Sequence, residues 1–144
     1  MNASTQELET VGEEHGPNLT AVDEYMSKAI LAALGDDFSD KILSCTNEHA
    51  RTVEEISSHE GIPLSTCYRR IRDLVDSGLL LIEKIVITSS GRRFAEYRSS
   101  FASFSVSFDQ SGTHVHASLN QDVADKVRSR QLQITYGRQN GEVA

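Results

Sequence analysis

Residues 62–80, IPLSTCYRRIRDLVDSGLL, decide the architecture, because their apolar and charged positions separate at helical spacing. Cys67, Ile71, Leu74 and Gly78 fall at i, i+4, i+7 and i+11, which makes one inward stripe of a 3.6-residue repeat. Tyr68, Arg69 and Arg72 then point outward. Just upstream, TVEEISSHEG places Thr52 and Glu55 at capping-box spacing, where each side chain satisfies an orphan backbone donor. Gly61 supplies a turn or C-cap. Two short helices joined by a tight glycine-containing turn predict a helix-turn-helix.

After Gly78 the period changes. LLLIEKIVIT is aliphatic and β-branched, SSGRR reads as a turn, and FAEYRSS resumes an extended pattern. A hairpin directly after a helix-turn-helix is the wing of a winged helix. Upstream, TAVDEYMSKAILAAL predicts a helix capped by Thr20 with Asp23 and Glu24 in its first turn. DDFSDKILSCTNE predicts another, with Phe38, Ile42 and Cys45 on one face. Downstream, FASFSVSF alternates strictly, with Ala102, Phe104, Val106 and Phe108 on one face and serines on the other. After the turn DQSG, THVHASL alternates through Val115, Ala117 and Leu119, completing a second hairpin. Its face is too apolar to stay in water, so it either packs back on the helices or forms a dimer surface. NQDVADKVRSRQLQI predicts a short helix capped by Asn120 or Asp122, with Val123, Val127 and Ile134 on a stripe.

The expected class is α+β, mostly α: a three-helix core and β wing, with an added N-terminal helix, a second hairpin and a short C-terminal helix. The expected divisions are an acidic disordered arm (1–19), the winged helix-turn-helix (20–100), a hairpin and helix for packing or dimerisation (101–135), and a flexible tail (136–144).

The net charge of −7 argues against casual nucleic-acid binding, but it is unevenly spread. Residues 1–24 carry six acids and no Lys or Arg, whereas residues 65–100 carry seven bases against four acids. The local field at the contacting face is what nucleic acid meets.

With these elements placed, residues 29–98 resemble the archaeal, particularly haloarchaeal, ArsR-like winged helix-turn-helix transcription regulators. AILAALGDDFSDKIL, GIPLSTCYRRIRDLVDSGLL and SSGRRFAEYR carry the resemblance, in the family's order. It implies a recognition helix, residues 65–77, in the major groove of double-stranded DNA, and a wing, residues 88–94, on the backbone or minor groove. It places recognition at Ser65, Thr66, Tyr68, Arg69 and Arg70, and wing contacts at Arg92 and Arg93. It also implies a homodimer built on the first and C-terminal helices. Arg72 joins the expected DNA-binding set by its outward position, and Ser89 and Ser90 by their place at the wing tip. Arginine can bond a guanine edge bidentately, while hydroxyls and a helix N-terminus suit phosphate. The expected activity is sequence-specific transcription regulation. The rival is a winged helix that binds protein, as an adaptor of the transcription machinery or a DNA-mimicking antagonist, motivated by the acidic arm.

Other chemistries find less support. Cys67 falls on the inward face, where cysteine acts as a small hydrophobe, and Cys45 reads the same way. His114 and His116 share a strand face without an evident third ligand, and the paired cysteines of metal-sensing relatives are missing, so no metal or cofactor is expected. No phosphate loop, nucleophile elbow or paired-carboxylate site is evident, so no enzyme is expected. Neither a membrane span nor a signal-peptide pattern is evident, so a cytoplasmic protein is expected.

Overall fold

Four helices fill the first half of the described chain, residues 19–126 of the computed structural model, and strands fill most of the second. α1 (Glu24–Leu34) starts at Asp23, whose carboxylate accepts from the Met26 N–H at 2.7 Å. Thr20 is not its cap. The Thr20–Ala21 backbone is instead a two-residue strand, β1, paired with the last strand, so the helix begins three residues later. α2 (Asp37–Cys45) is capped by Asp36, which accepts from Ser39 N–H at 2.9 Å. In α3 (Val53–Glu60) Thr52 Oγ1 accepts from Glu55 N–H, and Gly61 closes the helix at φ 65°, a left-handed conformation that glycine adopts without Cβ strain. α4 (Leu64–Asp76) follows after Ile62 and Pro63.

Cys67, Ile71 and Leu74 of α4 are buried as their spacing requires, whereas Gly78 is exposed. It lies beyond the helix end, at φ 84°, and turns the chain into the first hairpin. Ile30, Ile42, Ile56 and Leu79 are fully buried around the same centre. Each such side chain contributes about 1.5–3 kcal/mol through its removal from water. Phe101, Val115 and Ala117 belong to this core too, so it crosses the division expected at residue 100.

Two small antiparallel sheets complete an α+β fold. β2 (Leu80–Ile87) pairs with β3 (Arg93–Ser99), and Arg51 bridges to Tyr97 through two backbone bonds of 3.0 and 2.8 Å. β4 (Phe101–Asp109) pairs with β5 (Gly112–Leu119), and the three-stranded order is β1-β5-β4. Each hairpin carries an irregularity that the alternation does not reveal. Register shifts between Phe101 and Ser103, so Phe101 rather than Ala102 reaches the core; Ala102 is exposed. Phe101 and Phe104 then meet with ring centroids 5.5 Å apart. The apolar face divides: Val115 and Ala117 are buried, whereas Val106 and Phe108 remain in solvent.

The second shift, between Ile82 and Lys84, lies at Glu83. Glu83 Oε1 accepts from Arg98 Nη1 at 3.2 Å and Lys126 Nζ at 2.8 Å, and Arg98 Nη2 reaches Asp122 at 3.7 Å. Arg98 Nε also donates to the Asn47 carbonyl at 2.8 Å. This network ties the first hairpin to the helical residues 121–126. Asn120 stands at that helix's start but turns its amide to the Asn47 carbonyl at 2.9 Å, and Asp122 is turned to Arg98. The expected arm and tail, and stripe residues Val127 and Ile134, fall outside the described residues, apart from Leu19.

Burial alone would raise the Glu83 carboxyl, but the Lys126 hydrogen bond and the charges of Lys126 and Arg98 outweigh it and hold it below its ordinary 4.5. A carboxylate whose folded value is depressed stabilises fully above its unfolded value and loses that contribution as pH falls through the folded one. Stability should therefore fall below about pH 4.5, and Glu83→Gln should flatten that acid limb of a pH series of urea melts.

Candidate nucleic-acid interface

α4 offers its outward face because three buried residues fix its rotation. Tyr68, Arg69 and Arg72 are exposed, and so is Ser65; Thr66 is half-buried. Pro63 makes no side-chain cap, and no acid occupies the first turn, so the helix starts with backbone donors facing outward and no carboxylate among them.

Arg70 departs from the expected set. Its Nε and Nη2 donate to the two carboxylate oxygens of Asp36 at 2.9 and 3.2 Å, and both side chains are about one-third exposed or less. The Ser39 side chain and N–H, then Arg70, hold the Asp36 carboxyl below its ordinary value against the effect of burial. Arg70 thus braces α4 to the start of α2, because a long side chain on the helix flank finds a fixed bidentate acceptor closer than solvent. Arg70→Ala should lower stability by about 1 kcal/mol, read as a urea midpoint shift, and should leave the outward face in place.

Arg98 and Arg51 are likewise committed, Arg98 to its network and Arg51 by Nε to the Cys45 carbonyl at 2.9 Å. Among the described residues Arg69, Arg72, Arg92 and Arg93 make no ion pair. The last two stand at the β2–β3 tip, where Gly91 takes φ 85°. Thr88 organises this tip: its Oγ1 accepts from Arg92 N–H at 3.1 Å and bonds Ser90 Oγ at 2.9 Å. Ser89 is exposed, and the Arg92 guanidinium lies 5.0 Å from the Phe94 ring centroid.

The first turn of α3 joins the two regions. Glu54 Oε1 accepts from Tyr68 Oη at 3.3 Å, which fixes the tyrosine ring. On its other side Glu54 and Glu55 share a cleft with Val86, Arg92 and Phe94. A further cleft between α4 and the hairpin is lined by Tyr68, Arg72, Ile82 and Tyr97. Past it, Ile85 and Ile87 stand exposed on the hairpin. Sequence reasoning missed Thr88 and Glu54. A threonine four residues before Arg92, and an acid in the first turn of a capped helix, were the available signals.

Redox and metal chemistry gain no geometry here. Burial and the nearby Glu60 carboxylate push the Cys45 thiol up to about 11, and burial raises the enclosed Cys67. A raised pKa starves both of the reactive thiolate. His114 bonds Ser111 at 2.7 Å and Asp109 at 3.3 Å, and among the described residues no cluster of three or more potential ligands occurs. Among the same residues no helix is long and apolar enough to cross a membrane. Compared with known protein families and with characterised proteins, the chain matches none of them.

Proposed function

We propose that this chain is a winged helix-turn-helix DNA-binding regulator, with α4 as recognition helix and the β2–β3 hairpin as wing. The observation that carries this reading is the sorting of arginines. Those directed inward or along the flank, Arg51, Arg70 and Arg98, have fixed partners, while Arg69, Arg72, Arg92 and Arg93, on α4 and the hairpin tip, make no ion pair among the described residues. Unpaired cations cost little to bring to phosphate, because no existing ion pair must break. In this reading Arg69 reads a base edge, and Arg72 and the wing arginines hold the backbone. Ser65, Thr66 and the uncapped first turn of α4 donate hydrogen bonds to phosphate. Tyr68, steadied by Glu54, contacts sugar or phosphate, and Ser89 and Ser90 line the wing's approach. The likeness to ArsR-like regulators belongs to this reading and agrees with the order of its elements. Enrichment of duplexes from a random pool, followed by an electrophoretic shift assay, tests it: one enriched sequence family should bind, and no enrichment overturns it.

A second reading is favoured by the isoleucines. Ile82 lines a cleft with Tyr68, and Ile82, Ile85 and Ile87 are 37%, 58% and 62% exposed along the same strand. Such a surface suits a protein ligand better than phosphate. Ile85→Lys would strengthen or preserve DNA binding under the first reading and abolish partner capture under the second.

A further inference from the structure

We infer that the outer edge of β4 is a homophilic docking edge, on which a second copy of this chain pairs antiparallel about a two-fold axis at Ser105. The inference is independent of DNA binding. In the β1-β5-β4 sheet β4 is an edge strand. On the opposite side of β5, the Val115 carbonyl accepts from Val22 N–H and the Ala117 carbonyl from Thr20 Oγ1, each at 3.4 Å. Backbone groups alternate in an antiparallel ladder, so His114, His116 and Ser118 face β4, and their partners Ser107, Ser105 and Ser103 face β5. The N–H and C=O groups of Phe104, Val106 and Phe108 therefore point out of the sheet. Among the described residues no backbone bond outside the strand ladder reaches residues 103–109.

Native edges are usually protected by lysine, proline or a covering element. Phe101 to Phe108 contains neither residue and no charge. Asn47 covers only the beginning, donating to the Ala102 carbonyl at 3.0 Å. Val106 is 47% exposed and Phe108 81%.

The strand is self-complementary about Ser105. An axis there sets Phe104 opposite Val106 of the second copy, and Val106 opposite its Phe104, with their outward backbone groups exchanging bonds. Ser103 faces Ser107, and Ser105 faces itself. Asp109, the only ionised side chain in the strand, falls opposite Phe101, so no like charges meet. The other edge of this sheet is the two-residue β1, so β4 is its one long edge among the described residues, and a two-fold contact through it closes at two. Paired strands with their aromatic and aliphatic side chains cover on the order of 1,000 Å² in total, the low end for specific association, so the dimer is weak and concentration-dependent.

The full chain should shift from one to two chains in mass across the micromolar range by sedimentation equilibrium. Ser105→Lys, which sets two cations face to face, should stay monomeric with an unchanged circular-dichroism melt. Ser105→Cys should self-crosslink on mild oxidation, because directly opposed non-bonded residues stand about 4.5 Å apart at Cα, within disulfide reach. Ser103→Cys alone should not, but mixed with Ser107→Cys it should. A chain that stays monomeric and whose Ser105→Cys form does not crosslink overturns the proposal, including where its own terminal segment occupies the edge. So does a dimer that persists in Ser105→Lys, or equal crosslinking by Ser103→Cys alone.

Discussion

Arg98→Ala is expected to destabilise the fold by about 3 kcal/mol, the larger of the stability effects foreseen here, because it strips a buried charge of its partner. The Arg98 and Glu83 side chains are 9% and 10% exposed. Without the guanidinium, Glu83 keeps only Lys126 among the described residues, itself mostly in water, and the Asn47 carbonyl loses one of its two described donors. Removing one member of a buried pair costs more than replacing both, since the survivor remains desolvated. Glu83→Gln combined with Arg98→Ala should therefore be less destabilising than the sum of the single changes. Urea melts of the four proteins, analysed as a double-mutant cycle, check this; additive losses would mean that the two residues act separately.

The largest functional effect should come from Arg69→Ala combined with Arg72→Ala. Each bidentate base contact is worth about 1–3 kcal/mol and each phosphate contact changes the salt dependence by about one. The pair should weaken binding to an enriched duplex by roughly 30-fold or more and reduce the salt slope. Arg70→Ala is the internal control. Although it lies next to Arg69, its side chain is directed to Asp36, so affinity should change little. Fluorescence anisotropy on these two variants and the unchanged protein separates these outcomes; equal losses from Arg70→Ala and the double variant would place the contact surface elsewhere on α4.

Local chemistry made much of this legible. The Cys67, Ile71 and Leu74 spacing set the rotation of α4, Thr52 and Gly61 bounded α3, and Gly91 marked a hairpin tip. What escaped depends on partners remote in sequence. A bulge adds one residue without altering composition, so neither the burial of Phe101 in place of Ala102 nor the placement of Glu83 could be read from alternation. Thr20 makes a plausible cap until a strand ninety-seven residues away claims its backbone region. Arg70 sits on a helix flank where periodicity leaves its direction open, and Asp36, thirty-four residues earlier, decides it. Arg69 and Arg72 were visible as outward; that they make no ion pair among the described residues was visible only in three dimensions.

The central claim is tested most directly by the affinity of the full chain for a duplex of about 30 base pairs across a salt series. If Arg72, Arg92 and Arg93 each neutralise a phosphate, log affinity should fall against log salt with a slope of about −3. No binding at low salt, or binding that does not change with salt, would contradict it.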